Sequence, residues 1–81
     1  MASFLVESYT PRQADPEPRE LAPRLRAAAE VLGLDVHFLR VISIPEDEIC
    51  FYLFEAPSAE SVRQVSGRAG LRYERIMEAL P

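Results

Sequence analysis

Ile49-Cys50-Phe51-Tyr52-Leu53-Phe54 is a run in which both alternating parities are apolar or aromatic. A strand with one dry and one wet face alternates apolar with polar side chains. This run does not alternate, so it reads as a strand whose two faces both need cover. It is too short for an ordinary helix, and its aromatic content suits a pleated surface.

The flanks extend the reading. Val36 to Ile44 is a second strand run, joined through Pro45-Glu46-Asp47 to the strand that starts at Glu48. So short a polar connection predicts an antiparallel hairpin. In this earlier strand Phe38 and Ile42 share one parity while Leu39 and Val41 share the other, so it too is apolar on both sides. Beyond Phe54, Glu55-Ala56-Pro57-Ser58 closes the strand. Ser58 is placed to cap a helix, with Glu60 near its positive end. That helix runs through Ser61, Val62 and Val65 to Gly67 or Gly70, and Tyr73 to Leu80 forms a last strand.

Upstream, Ser3 to Tyr9 is a strand that ends at Thr10-Pro11. The segment from Pro11 to Pro18, with Asp15 and Glu17, is a polar loop. Leu21, Leu25, Ala28, Ala29 and Leu32 then recur at helical spacing, and Gly33 can take the left-handed conformation that stops a helix. Pro23 would clash with the carbonyl of Arg19 in an established helix, so either the helix starts near Ala22 with Pro23 in its first turn or it is kinked; a start between residues 19 and 22 is expected. The resulting order is βαββαβ, the ferredoxin-like split βαβ. Right-handed crossovers place the first and third strands at the centre of a four-stranded antiparallel sheet, with two helices on one face.

The chain is 81 residues long, enough for one α+β domain, and 48% of it is hydrophobic. Its formal net charge is -4, and all nine basic residues are arginine. An acidic balance argues against nucleic acid, whose phosphates demand cationic neutralisation. No window approaches the roughly 18 apolar residues of a membrane span, and the N-terminus lacks the basic region of a signal peptide. Cys50 is the single cysteine. A lone thiol in an apolar run fits a reducing compartment, so a cytoplasmic location is expected.

Two helices can cover only one sheet face. The other would expose several large side chains, beyond the few hundred Å² usual on monomers. Pairing of two chains, sheet to sheet, into a homodimer is the simplest cover. A ligand pocket on the same face is the alternative.

Candidate site residues follow from that face. Glu7 lies mid-strand with Tyr9 on its side; a carboxylate there must find a partner, Arg40 or Arg75, or rise in pKa by desolvation. Tyr9 and Tyr52 could line a pocket with their hydroxyls as donors, and Glu7, Tyr9, Arg40 and Tyr52 form the candidate ligand-binding set. His37, the only histidine, is the candidate metal ligand or proton shuttle, although a solvent-facing strand residue is the simpler reading. Arg40, three residues on, should face the opposite side of the strand. Glu55 is expected to fix a loop, Cys50 to pack in the core, and Glu46-Asp47-Glu48 to form a solvated turn.

Phe4-Leu-Val-Glu, Tyr52-Leu-Phe-Glu-Ala-Pro-Ser, Glu60-Ser-Val-Arg, Arg68-Ala-Gly-Leu and Glu74-Arg-Ile-Met-Glu together resemble a family of small bacterial uncharacterised proteins labelled nickel-binding-like. The resemblance spans nearly the whole chain. It implies the ferredoxin-like fold, dimers and, in some members, nickel held by histidines. Where family members carry histidine in the second strand and second helix, this chain has Arg40 and Val65. Imidazole is the ligand that suits nickel, so nickel enters only as an implication of the resemblance. The leading expectation is a dimeric module binding a small organic ligand, or a metal ion, at the sheet face. The alternatives are a cofactor-free enzyme of the dimeric α/β barrel type (monooxygenase, isomerase or cyclase) and a structural partner domain.

Overall fold

The computed structural model describes residues 1–80. It contains β1 (Ala2–Tyr9), α1 (Pro18–Leu32), β2 (His37–Ile44), a 3-10 turn (Pro45–Asp47), β3 (Ile49–Ala56), α2 (Ala59–Ala69) and β4 (Arg75–Ala79). The strands form one antiparallel sheet in the order β2-β3-β1-β4, so β1 and β3 are central as the crossover argument requires. The fold is a ferredoxin-like α+β sandwich.

Helix α1 begins earlier than Pro23 suggested. Pro18 occupies its first position, where a missing N–H costs nothing, and the Glu17 N–H donates to Glu20 Oε1 at 3.3 Å. Pro23 therefore sits inside the helix. It is tolerated because it lies on the exposed side, where water can reach the carbonyl it leaves unpaired. Gly33 ends the helix at φ +65°. Leu32, expected on the buried face, is instead 38% exposed at the helix end. Helix α2 is capped by Ser58, whose Oγ accepts from the Ser61 N–H at 3.2 Å, and it stops at Gly70 rather than Gly67.

The core lies between the helices and one sheet face. Leu21, Leu25, Ala28 and Ala29 of α1 and Val62, Val65 and Ala69 of α2 pack on Phe4, Val6, Phe38, Tyr52 and Phe54. Phe38 meets Phe54 edge-on, with ring centroids 5.5 Å apart. Cys50 belongs to this core at 1% exposure, and its Sγ donates to Ser43 Oγ at 3.6 Å. The molecule measures 33 × 28 × 17 Å, a two-layer slab with one broad sheet face bare of helices.

Candidate functional site

Strand pairing lays out the bare face row by row. Residues directly opposite on neighbouring antiparallel strands point to the same side. His37, Glu55, Ser3 and Ala79 make one row; Arg40, Leu53, Leu5 and Met77 the next. Ile42, Phe51, Glu7 and Arg75 form the third, and Ile44, Ile49 and Tyr9 the fourth. The centre of the face is thus Leu5, Phe51, Leu53 and Ile42, bordered by Ile44, Ile49 and Met77. Charge is confined to its edges and one corner pair.

That pair is Glu7 with Arg75. Arg75 Nε donates to Glu7 Oε1 at 2.6 Å, and the Glu7 side chain is 19% exposed against 66% for Arg75. Of the two arginines available by sequence, the register selects Arg75, directly opposite Glu7. Arg40 lies two strands away from β1, about 10 Å at ordinary strand spacing, and makes no salt bridge among the described residues.

The placement of Arg40 corrects the strict alternation read from the sequence. The β2–β3 register slips between Phe38 and Arg40, a bulge with Leu39 as the extra residue. An extra residue reverses parity downstream of itself. Arg40 consequently shares the face of His37 rather than opposing it, and Ile42 faces away from Phe38. Leu39 is left 44% exposed.

His37 is exposed, and its Nε2 lies 2.7 Å from Asp35 Oδ1. Glu55, its cross-strand neighbour, is exposed at the end of β3. Among the described residues no group of three or more His, Cys, Asp or Glu side chains is arranged to hold a metal ion. One imidazole and one neighbouring carboxylate do not fill a nickel coordination sphere. The residues of a single chain therefore do not fit a resident nickel site.

The candidate ligand-binding set divides. Glu7, Tyr9 and Arg40 share the bare face. Tyr52 does not, because it alternates with Phe51 and turns inward among the helices, 1% exposed. Tyr52 and Tyr9 do line a common recess, but it lies at the end of β1, off the bare face.

Burial, with a lesser contribution from Cys50, pushes the Tyr52 phenol up to about 12 from its usual 10.0. The folded state holds this proton more tightly than the unfolded chain. The associated stability is present below pH 10.0 and is lost as pH rises through about 12. Urea midpoints measured from about pH 9 to about pH 11.5 should fall more steeply for the natural protein than for Tyr52→Phe. Parallel curves would show that the phenol is not desolvated.

A ferredoxin-like α+β domain with one sheet face under helices and the other apolar and bare defines a class of small two-layer modules. Within it, the chain belongs to the SCO4226-like family: the model described as "Nickel responsive protein SCO4226-like" matches residues 4–79. Among solved structures, SCO4226 from Streptomyces coelicolor A3(2) is similar at a TM-score of 0.69 and 28% identity, over 96% of this chain and 95% of that one. No curated protein matches. Among the described residues no helix is long and apolar enough to cross a membrane.

Proposed function

We propose that this chain is a small binding module that acts as a two-fold homodimer, with the bare sheet face as its joining surface and ligand site. The observation that carries the reading is the apolar field of Leu5, Ile42, Phe51 and Leu53 at the centre of that face. Water-exposed rows of this kind are unusual on monomers and are self-complementary under a two-fold axis. Glu7, Arg75 and Arg40 supply the polar groups that would orient a small organic molecule where two such faces meet. The lone buried thiol of Cys50 supports a cytoplasmic setting.

Sedimentation equilibrium at micromolar concentration should give twice the 9.1 kDa mass of the chain. A mass near that of one chain would overturn the dimer and, with it, the ligand site between copies. Calorimetric titration with nickel should show no tight uptake, since a single His37–Asp35 pair is too small a donor set. Submicromolar affinity abolished by His37→Ala would instead establish a metal role for that pair.

A further inference from the structure

A recess of about 550 Å³ opens on the helix side of the sheet, between the loop after β1 and the segment after α2. Its size falls within the range of about 300–1,000 Å³ that accommodates small organic molecules. Tyr52 lines it while being only 1% exposed. None of the side-chain hydrogen bonds among the described residues involves the Tyr52 hydroxyl, although neighbouring hydroxyls are engaged. Ser8 Oγ donates to the Arg72 carbonyl at 2.6 Å, and Thr10 Oγ1 to the Ser8 carbonyl at 3.3 Å. A tyrosine hydroxyl that makes no hydrogen bond to the protein and lines a recess can take one from a molecule bound there.

The rest of the lining narrows the partner's chemistry. Pro11, Pro16, Leu21 and Leu71 contribute apolar wall. Asp15, Glu74 and Arg72 contribute charge, and none of the three forms a salt bridge among the described residues. Glu74 Oε2 accepts from the Tyr9 N–H at 2.6 Å, which holds that carboxylate beside the rim. Two carboxylates against one guanidinium leave the lining net negative, which favours a cation over an anion.

We propose that this recess, separate from the bare sheet face, binds a small organic amine: its ammonium group at Asp15 and Glu74, its apolar body against Leu21 and Leu71, and a hydroxyl or carbonyl at its far end hydrogen-bonded to Tyr52. Tyr52 is the specificity residue of this site, because it alone offers the buried end of the ligand an unengaged polar group.

Three probes sharing one ring separate the contributions: tyramine, phenethylamine and 4-hydroxyphenylacetate. In NMR titrations tyramine should bind saturably and phenethylamine about tenfold more weakly, the loss of one neutral hydrogen bond. 4-Hydroxyphenylacetate, with the opposite charge, should not bind. Tyr52→Phe, which keeps the ring, should bring tyramine down to the phenethylamine level and leave phenethylamine unchanged. Asp15→Asn, in an exposed loop, should weaken both amines by a common factor. The proposal is overturned by absence of saturable tyramine binding, by equal binding of the carboxylate probe, or by Tyr52→Phe affecting both amines alike. Since the recess lies off the joining face, amine binding and chain mass are independent readouts.

Discussion

Replacing Phe51 with glutamate is expected to leave the chain folded and to abolish the pairing of two chains proposed for the bare face. Phe51 is half-buried at the centre of the bare face, and no helix covers it. In a single chain the new carboxylate would point to water and cost little. In a two-fold pair it would be taken out of water, in both copies, against Leu5, Ile42 and Leu53. An uncompensated buried charge costs about 3–5 kcal/mol, so the dissociation constant should rise at least about a hundredfold. Sedimentation should then report a mass near 9.1 kDa with an unchanged far-ultraviolet circular dichroism spectrum. A Phe51→Glu protein that kept the mass of two chains would show that pairing, if present, uses another surface.

Phe54→Ala should produce the largest loss of stability, although it lies only three residues from Phe51. Phe54 is 0% exposed, with its ring edge-on to Phe38, beneath the helices. Truncating a buried phenylalanine removes its transfer energy and leaves a cavity, at a cost of about 3–5 kcal/mol. At about 0.05–0.15 kcal/mol per residue, a domain of 81 residues has roughly 4–12 kcal/mol in total. The substitution should therefore consume a quarter or more of the stability and shift the urea midpoint accordingly. Phe51→Ala, measured in the monomeric state, should cost far less. Equal losses at the two positions would contradict the assignment of β3 parities to an inner and an outer face.

Those two positions also mark how much of the fold is legible in the sequence. The non-alternating run from Ile49 to Phe54, the short turn at Pro45–Asp47 and the helical spacing of Leu21, Leu25 and Ala28 are local signals, each written in adjacent residues. Together they suffice for the βαββαβ order and for the central positions of β1 and β3. The start of α1 was less legible, because Pro23 is a strong breaker by itself. Its tolerance depends on Pro18 at the first helical position and on facing water.

The candidate site was legible only in part. Glu7 and Tyr9 fall where alternation puts them, and the partner of Glu7 is Arg75, one of the two arginines that alternation allowed. Arg40 could not be placed, since nothing in Val36 to Ile44 announces that Leu39 is extra. Tyr52 was grouped with the bare face because a run apolar on both parities carries no mark of which parity faces the helices. Asp15, Arg72 and Glu74 were not singled out as site residues. They come from two loops far apart in sequence and carry no spacing that ties them together.

By itself, then, the sequence determined the element order, the sheet's central strands and the apolar character of both faces of β3. Those follow from periodicity and turn chemistry, which act over a few residues. Tertiary structure alone decided which face each β3 side chain takes, the parity reversal at Leu39, the pairing of Glu7 with Arg75 and the recess beneath Tyr52. The reason is physical: register and loop convergence are set by the packing of the whole sheet against two helices. No single segment can encode them.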